Sequence, residues 1–222
     1  MVEASPGAAA IQFGPEVLPP EVVQPAEEVP AAAAPPPARP RQVLVVDADA
    51  VDATTATLSV WRVGDGVEPL LEYGPVPARV GEDGVGEAAA GVARTPLGTF
   101  TLGSAFGLAA NPGTALPYFV VDGLDWWDGG EDSPTYNLHV RGQEAPEGSE
   151  HLADFTGQYD YAVDMGVNPG RVPGGGSAFF LHVTDGQPTG GCVAVSREAM
   201  VDVLRLLDPA ASPVVTVGVF AP

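Results

Sequence analysis

The sequence predicts a mainly β fold, a sandwich or barrel-like sheet, with one firm C-terminal helix. From Gln42 onward, short runs rich in β-branched and aromatic residues are separated by Gly, Pro and Asp. Many short strands with turns between them are typical of sandwiches and barrels. One stretch near the C-terminus has the periodicity of a helix instead. The chain of 222 residues is long enough to bury a core of its own.

Several segments have the composition of strands. In the second of them, Leu58 and Val60 alternate with more polar neighbours, which is the period-two pattern of a half-buried strand. The predicted strands cover residues 43–46, 56–63, 70–73, 98–102, 118–121, 136–140, 162–167, 178–183 and 214–219.

The predicted helix begins after Ser196, whose side chain can cap its N-terminus. Its apolar residues fall at i, i+3, i+4 and i+7, namely Met200, Val203, Leu204 and Leu207. Asp208-Pro209 ends the helix, because proline cannot continue it. A single helical turn is also expected in the acidic segment 148–155.

Two parts of the chain differ in composition. Residues 1–41 are mostly Ala, Pro, Val and Glu without apolar periodicity, and we expect a disordered linker there. Residues 42–222 are expected to form the folded domain. The sequence has no apolar run long enough to span a bilayer, and its start lacks the basic and apolar regions of a secretory signal.

Composition excludes several classes of function. Twenty-nine acidic residues against nine arginines give a formal net charge of −20, which would repel a nucleic acid. A single cysteine excludes an intramolecular disulfide and a four-cysteine zinc site. The three histidines have no metal-ligand spacing, so we expect neither a metal nor an organic cofactor.

The segment Thr189-Gly190-Gly191-Cys192 has the character of a nucleophile site. Two glycines before the sulfur let a substrate carbonyl approach the backbone N–H groups. His182 ends an apolar run ten positions earlier, and a hairpin with an irregular loop would bring it beside Cys192. The histidine would then take the thiol proton, giving a thiolate and an imidazolium.

A structural interpretation of both residues stands beside the catalytic one. A lone cysteine is commonly a small buried hydrophobe, and a lone histidine on a strand commonly has its polar atoms satisfied in the fold. Composition does not separate the two interpretations, and the glycines before Cys192 favour the catalytic one.

Two motifs resemble those of the L,D-transpeptidases of the YkuD type. His182 followed by Thr189-Gly190-Gly191-Cys192-Val193 is similar to the family's histidine followed by Ser/Thr-His-Gly-Cys and a hydrophobic residue. Arg94-Thr95-Pro96-Leu97-Gly98-Thr99-Phe100 is similar to its Thr-Pro-x-Gly-x-Phe strand. The resemblance spans about residues 42–219 and is closest to a branch common in actinobacteria.

The resemblance implies a mainly β catalytic domain that acts on peptidoglycan outside the cytoplasmic membrane. The cysteine attacks a stem peptide between its third residue, commonly a diamino acid, and the terminal D-alanine, and forms a thioester. A diamino-acid amine of a second stem then resolves the thioester; with water instead, the enzyme is a carboxypeptidase. Carbapenems would acylate the same cysteine as substrate mimics.

By the same resemblance, Cys192 is the nucleophile and His182 the general base and acid. The backbone N–H groups of Gly191 and Cys192 would form the oxyanion hole, and the carbonyl of Val183 would orient the imidazole. Thr189 and Gly190 would border the substrate.

Five further residues are candidates for substrate binding. Arg94 could meet a substrate carboxylate, as could Arg141, although an ion pair with a local acid is the alternative. Tyr136 could form an aromatic wall together with Tyr118 and the pair Trp126-Trp127, although the alternative is that the two tryptophans are split between core and surface. Asn137 lies beside Tyr136 in a segment that also resembles the family. His139 could line the cleft or be a half-exposed strand histidine.

Two positions depart from the family pattern. Gly190 stands where most members have a second histidine, and Ala194 stands where Asn or Arg usually occurs. The spacing from His182 to Cys192 is also shorter than in the standard signature. A noncatalytic domain on the same scaffold, which binds the cell wall or serves as an interaction domain, is therefore the competing hypothesis.

Overall fold

The computed structural model of the chain describes residues 41–220. The predicted linker, apart from Arg41, lies outside the described residues.

Fifteen strands and one α-helix form the described part. The strands are β1 Gln42–Ala48, β2 Thr55–Gly64, β3 Val67–Arg79, β4 Val85–Gly86, β5 Thr95–Pro96, β6 Gly98–Thr101, β7 Ala105–Gly107, β8 Tyr118–Val120, β9 Asp125–Trp127, β10 His139–Arg141, β11 Glu150–His151, β12 Ala162–Asp164, β13 Phe180–Val183, β14 Val193–Val195 and β15 Val214–Gly218. The helix α1 is Arg197–Leu206, and 3-10 turns cover Leu152–Asp154, Gln158–Asp160 and Pro209–Ala211. The predicted mainly β class with one helix is confirmed.

Ten of the strands form one mixed sheet in the order β6-β15-β1-β2-β3-β14-β13-β12-β7-β8. Along β1, Leu44, Val46 and Ala48 are buried and their neighbours are half-buried, as the period of two requires. Strand β1 pairs in parallel with β15 and antiparallel with β2.

The helix begins as predicted. The Oγ of Ser196 accepts a hydrogen bond from the Ala199 N–H at 3.1 Å, which satisfies a backbone donor that the first turn leaves free. Met200, Val203 and Leu204 are fully buried in the main core, which lies between the helix and the sheet.

The expected hairpin between His182 and Cys192 is wrong. Strands β13 and β14 run parallel, with His182 opposite Ala194. Because β13 and β14 are parallel, the connecting segment 184–192 must return along the strands. Backbone hydrogen bonds between Thr189 and the segment that follows β3 hold it in place. The Thr189 N–H donates to Val80 O at 3.0 Å, and the Thr189 carbonyl accepts from the Glu82 N–H at 2.9 Å.

Three predicted strands are shorter than expected, because residues with positive φ interrupt the extended backbone. Asn137 has φ +57°, so its strand starts only at His139. Ala178 has φ +59°, so β13 starts at Phe180. Gly166 has φ +65°, beyond the end of β12 at Asp164. A left-handed residue cannot continue a strand ladder.

Candidate active site

Cys192 immediately precedes β14, and its thiol is packed against the residues that lead into β13. Its Sγ accepts a hydrogen bond from the Phe180 N–H at 3.3 Å and donates to the Ala178 carbonyl at 3.4 Å. The residue is 8% exposed and belongs to an apolar cluster with Phe180 and Tyr159. The fold therefore fixes the sulfur in a largely apolar environment.

His182 lies on β13, and its ring is held in one tautomer. Its Nδ1 is 2.9 Å from the Val183 carbonyl, the contact that the resemblance predicted. A carbonyl can only accept, so Nδ1 carries the proton and Nε2 is the basic nitrogen. The Tyr159 ring and the imidazole pack edge to face, with centroids 5.4 Å apart.

Cys192 and His182 line the same cleft, which has a volume of about 260 Å³. Thr189 and Gly190, two of the predicted substrate-binding residues, line it as well. The cleft therefore brings together a thiol, an unprotonated imidazole nitrogen and exposed backbone, the components that acyl transfer to sulfur requires.

The burial of this cleft favours the neutral forms of both groups. Burial and, to a smaller extent, the nearby Glu150 raise the pKa of the Cys192 thiol from its usual 9.0 to about 12, and the hydrogen bond from Phe180 opposes them. Burial also lowers the pKa of His182, against the opposing effects of the Val183 carbonyl and Asp185. At neutral pH the resting pair is thus a thiol and a neutral imidazole, and the expected thiolate–imidazolium pair is disfavoured at rest.

Two threonines hold the carbonyl of Cys192. The Oγ1 of Thr95 donates to it at 3.0 Å and the Oγ1 of Thr189 at 2.6 Å. Thr95 is fully buried and also accepts from the Gly81 N–H at 2.8 Å. The two motifs of the sequence thus meet at the backbone of the cysteine. Thr95 belongs to the second sequence motif, but the motif alone does not identify it as a site residue.

The two glycines before Cys192 have different surroundings. Gly191 has φ +134°, and a Cβ there would lie 2.9 Å from the Phe179 ring. Its N–H, one of the two predicted oxyanion donors, donates to the Thr189 Oγ1 at 3.2 Å. A Cβ on Gly190 would meet no atom within 4 Å. Only Gly191 is therefore required by the backbone geometry.

Glu150 and Tyr159 line the cleft and were missed by sequence reasoning. The Tyr159 hydroxyl donates to the Glu150 Oε1 at 2.6 Å. Burial raises the pKa of both groups. Glu150 lies on β11 and Tyr159 on a 3-10 turn. Neither residue belongs to a sequence motif that could have identified it.

Asn137 supports the thiol from behind rather than lining the cleft. Its Oδ1 accepts from the Trp127 indole N–H at 3.0 Å and from the Ala178 N–H at 3.3 Å. Its amide nitrogen donates to the carbonyls of Val167 and Asn168. Because the Ala178 carbonyl contacts the Cys192 sulfur, Asn137 helps to hold the backbone on one side of the thiol.

Tyr136 is buried and lines a second cavity of about 340 Å³. That cavity shares Ser177, Ala178 and Gly190 with the cleft around Cys192. Tyr136 therefore lies next to the cleft rather than in it.

Arg94 and His139 are not among the residues that line the cleft. The Arg94 Nε donates to the Asp83 carbonyl at 3.3 Å. The His139 Nε2 lies 2.8 Å from the buried Asp125 carboxylate, which Arg141 also contacts. Arg94, His139 and Arg141 thus each contact a partner within the protein, and their substrate-binding roles stay predictions.

Within residues 41–220, no group of three His, Cys, Asp or Glu side chains is arranged to hold a metal ion. In the same part of the chain, no helix combines the length and apolarity needed to cross a membrane.

Comparison with known families gives one match. The family model for the YkuD L,D-transpeptidase catalytic domain matches residues 43–216. No curated protein and no solved structure matches the chain. The assignment to an actinobacterial branch stays a prediction.

Proposed function

The chain belongs to the L,D-transpeptidase (YkuD) catalytic domain family, and on this premise we propose that it acylates Cys192 with a peptidoglycan stem peptide. The proposal rests on one observation: a single cleft contains the Cys192 thiol and the His182 imidazole in the tautomer whose Nε2 is unprotonated. The acyl group then passes to a diamino-acid amine, or to water in a carboxypeptidase reaction.

In the first half-reaction, the basic Nε2 of His182 takes the thiol proton as the sulfur attacks the carbonyl carbon of the third stem residue. Because both groups rest in neutral forms, proton transfer accompanies the attack rather than preceding it. The C–N bond to D-alanine breaks, and the departing amine takes the proton from His182. A thioester remains on Cys192.

In the second half-reaction, the amine of another stem attacks the thioester carbon. The amine loses a proton to His182, the C–S bond breaks, and the sulfur recovers that proton. The oxyanion of each step needs backbone donors held in place. The bonds from Thr95 and Thr189 to the Cys192 carbonyl support this, because they fix the peptide group next to the sulfur.

Intact-protein mass spectrometry tests this proposal. The wild type is incubated with a carbapenem, whose lactam C–N bond opens on acylation, and separately with a stem tetrapeptide. We expect one adduct per chain, none on Cys192→Ala, and acylation slowed about 100-fold or more in His182→Gln. His151→Gln is the matched control, because His151 does not line the cleft. An equal adduct on folded Cys192→Ala would contradict the proposal.

One observation favours a second candidate function. The high pKa and the burial of Cys192 suit an unreactive thiol, which a noncatalytic domain that binds the cell wall would retain. That function predicts no adduct on the wild type together with binding to isolated peptidoglycan that Cys192→Ala keeps. The activity or binding is proposed to occur at the cell envelope, where the substrate is.

A further inference from the structure

Glu150 is a carboxylate in the cleft that the proposed mechanism does not use. It lies on β11 and lines the cleft with Cys192 and His182. Its Oε1 accepts the 2.6 Å hydrogen bond from Tyr159. Tyr159 is itself 3% exposed and stacked on Phe155, with centroids 4.7 Å apart. A rigid phenol therefore fixes the direction of the carboxylate.

Among the described residues that line the cleft, the charged ones are acidic. They are Glu150 and Asp185, beside the neutral His182, Cys192 and Tyr159, and this described lining contains no arginine. Arg94, which the sequence suggested for a substrate carboxylate, does not line this cleft. Such a cleft repels an anionic group of the substrate and attracts a cationic one.

The partial burial of Glu150 strengthens this argument. Burial raises its pKa, so an ionised Glu150 is poorly solvated and lacks a cationic partner within the described residues that line the cleft. A partly buried carboxylate is stabilised most by a cation that donates hydrogen bonds to it.

We infer that Glu150 recognises a primary ammonium group of the substrate and that Tyr159 positions the carboxylate for this contact. The inference rests on the proposed function, in which diamino acids supply two ammonium groups. One belongs to the stem that acylates Cys192, and the other belongs to the stem that accepts the acyl group, where the bound ammonium gives its extra proton to water and then attacks the thioester as the neutral amine. Both present the same chemistry to Glu150.

Kinetics with Glu150→Gln tests the inference and separates the two sources. The glutamine keeps the shape and an acceptor for the Tyr159 hydroxyl but removes the charge. One arm compares kcat/KM for thioester formation with a stem tetrapeptide whose diamino-acid amine is free or acetylated. The second arm measures the KM of an acceptor stem tripeptide with a free amine, and hydrolysis without it.

If Glu150 contacts the ammonium group of the donor stem, kcat/KM of the wild type should be about 10-fold or more higher for the free amine than for the acetylated one. Glu150→Gln should then lose this preference. A contact through the acceptor predicts that Glu150→Gln raises the acceptor KM about 10-fold or more, and by a larger factor than it changes the rate of hydrolysis. Tyr159→Phe is a second variant and should move the same quantity less. Glu147→Gln, an exposed acid outside the cleft, is the matched control.

The inference is overturned if the wild type forms and transfers the thioester and Glu150→Gln changes neither quantity. It is also overturned if Glu150→Gln slows the acetylated donor as much as the free one and leaves the acceptor KM unchanged, because that is a structural effect. Absence of any thioester on the wild type would instead remove the proposed function, and the inference with it.

Discussion

At Cys192, the packing that places the sulfur also keeps it protonated. The thiol lies in an apolar cluster and near the Glu150 carboxylate, and both effects oppose a thiolate. Because its pKa in the folded state exceeds that of an unfolded thiol, this group stabilises the fold below about pH 9. That contribution is lost as the pH rises towards 12.

The reaction of Cys192 with iodoacetamide should therefore show an alkaline pH profile. We expect the rate in the folded protein to keep rising about tenfold per pH unit from pH 8 to 10, because its thiolate fraction at pH 8 is about 1,000-fold below that of an ordinary thiol. Protein unfolded in urea should reach its plateau near the usual pKa. Restricted access lowers the rate at every pH but does not move the plateau. A plateau below pH 8 in the folded protein would refute the raised pKa.

Thr95 provides a second prediction for a single residue. Thr95→Val removes a buried hydroxyl that serves the Cys192 carbonyl and the Gly81 N–H. We expect a loss of about 1–3 kcal/mol in the free energy of unfolding and slower acylation of Cys192. Urea denaturation measures the first and mass spectrometry the second.

Thr99→Val is the matched control for Thr95→Val. Thr99 is exposed, and its Oγ1 pairs only across the surface with the Thr216 Oγ1 at 2.9 Å. Its change should cost a few tenths of a kcal/mol and leave acylation unchanged. Equal losses in the two variants would show that Thr95 has no special role at the site.

At the scale of elements, the turn between Thr189 and Cys192 has one strict and one permissive glycine. Gly191→Ala would place a methyl group at φ +134° against the Phe179 ring. We expect a loss of at least about 1–3 kcal/mol and a strong decrease in acylation, because the turn must move together with the sulfur. Gly190→Ala is the control for stability, since its Cβ enters open space, and it should unfold at the same temperature as the wild type. Thermal unfolding and adduct formation are the measurements, and a tolerated Gly191→Ala would contradict the geometry.

The elements that were predicted correctly have a local signal in the sequence. The helix has a cap and an apolar stripe, β1 is a run of β-branched and apolar residues, and in β2 Leu58 and Val60 alternate with more polar neighbours. The strand ends near Asn137 and Ala178 were not predicted correctly, because a positive φ in a residue other than glycine leaves little trace in sequence. The proximity of His182 and Cys192 was expected from a hairpin, whereas it arises from parallel strands. Pairing direction depends on contacts with Val80 and Glu82 that are remote in the chain.

The residues of the candidate site also divide into those that the sequence identifies and those that only the fold reveals. Cys192 and His182 were found because their residue types and the adjoining glycines have a chemical meaning. Glu150 and Tyr159 have none in isolation, and only the fold brings them to the cleft. Arg94 shows the converse, since its charge suggested a substrate contact but its guanidinium donates to the backbone of Asp83.

Over the whole molecule, negative charge greatly exceeds positive charge, and ion pairs do not neutralise the difference. Twenty-nine acids face nine arginines, and arginine–carboxylate pairs in the described part involve Arg62, Arg141 and Arg197. Most carboxylates must therefore repel one another across the surface, which destabilises the compact state. Salt shortens the range of this repulsion from about 30 Å at 0.01 M to about 3 Å at 1 M.

We therefore expect the free energy of unfolding of the full chain at pH 7 to increase as NaCl is raised from 0.01 to 0.5 M. The expected gain is on the order of 1 kcal/mol or more, because screening removes repulsion that is strongest in the folded state. Urea denaturation at each salt concentration measures it, and urea is uncharged, so it does not add to the screening. KCl at equal ionic strength is the control and should give the same gain, since screening depends on ionic strength rather than on the cation. At pH 4, where many carboxylates bind protons, the gain should shrink. A free energy that falls with salt at pH 7 would show that the arginine pairs outweigh the repulsion between carboxylates.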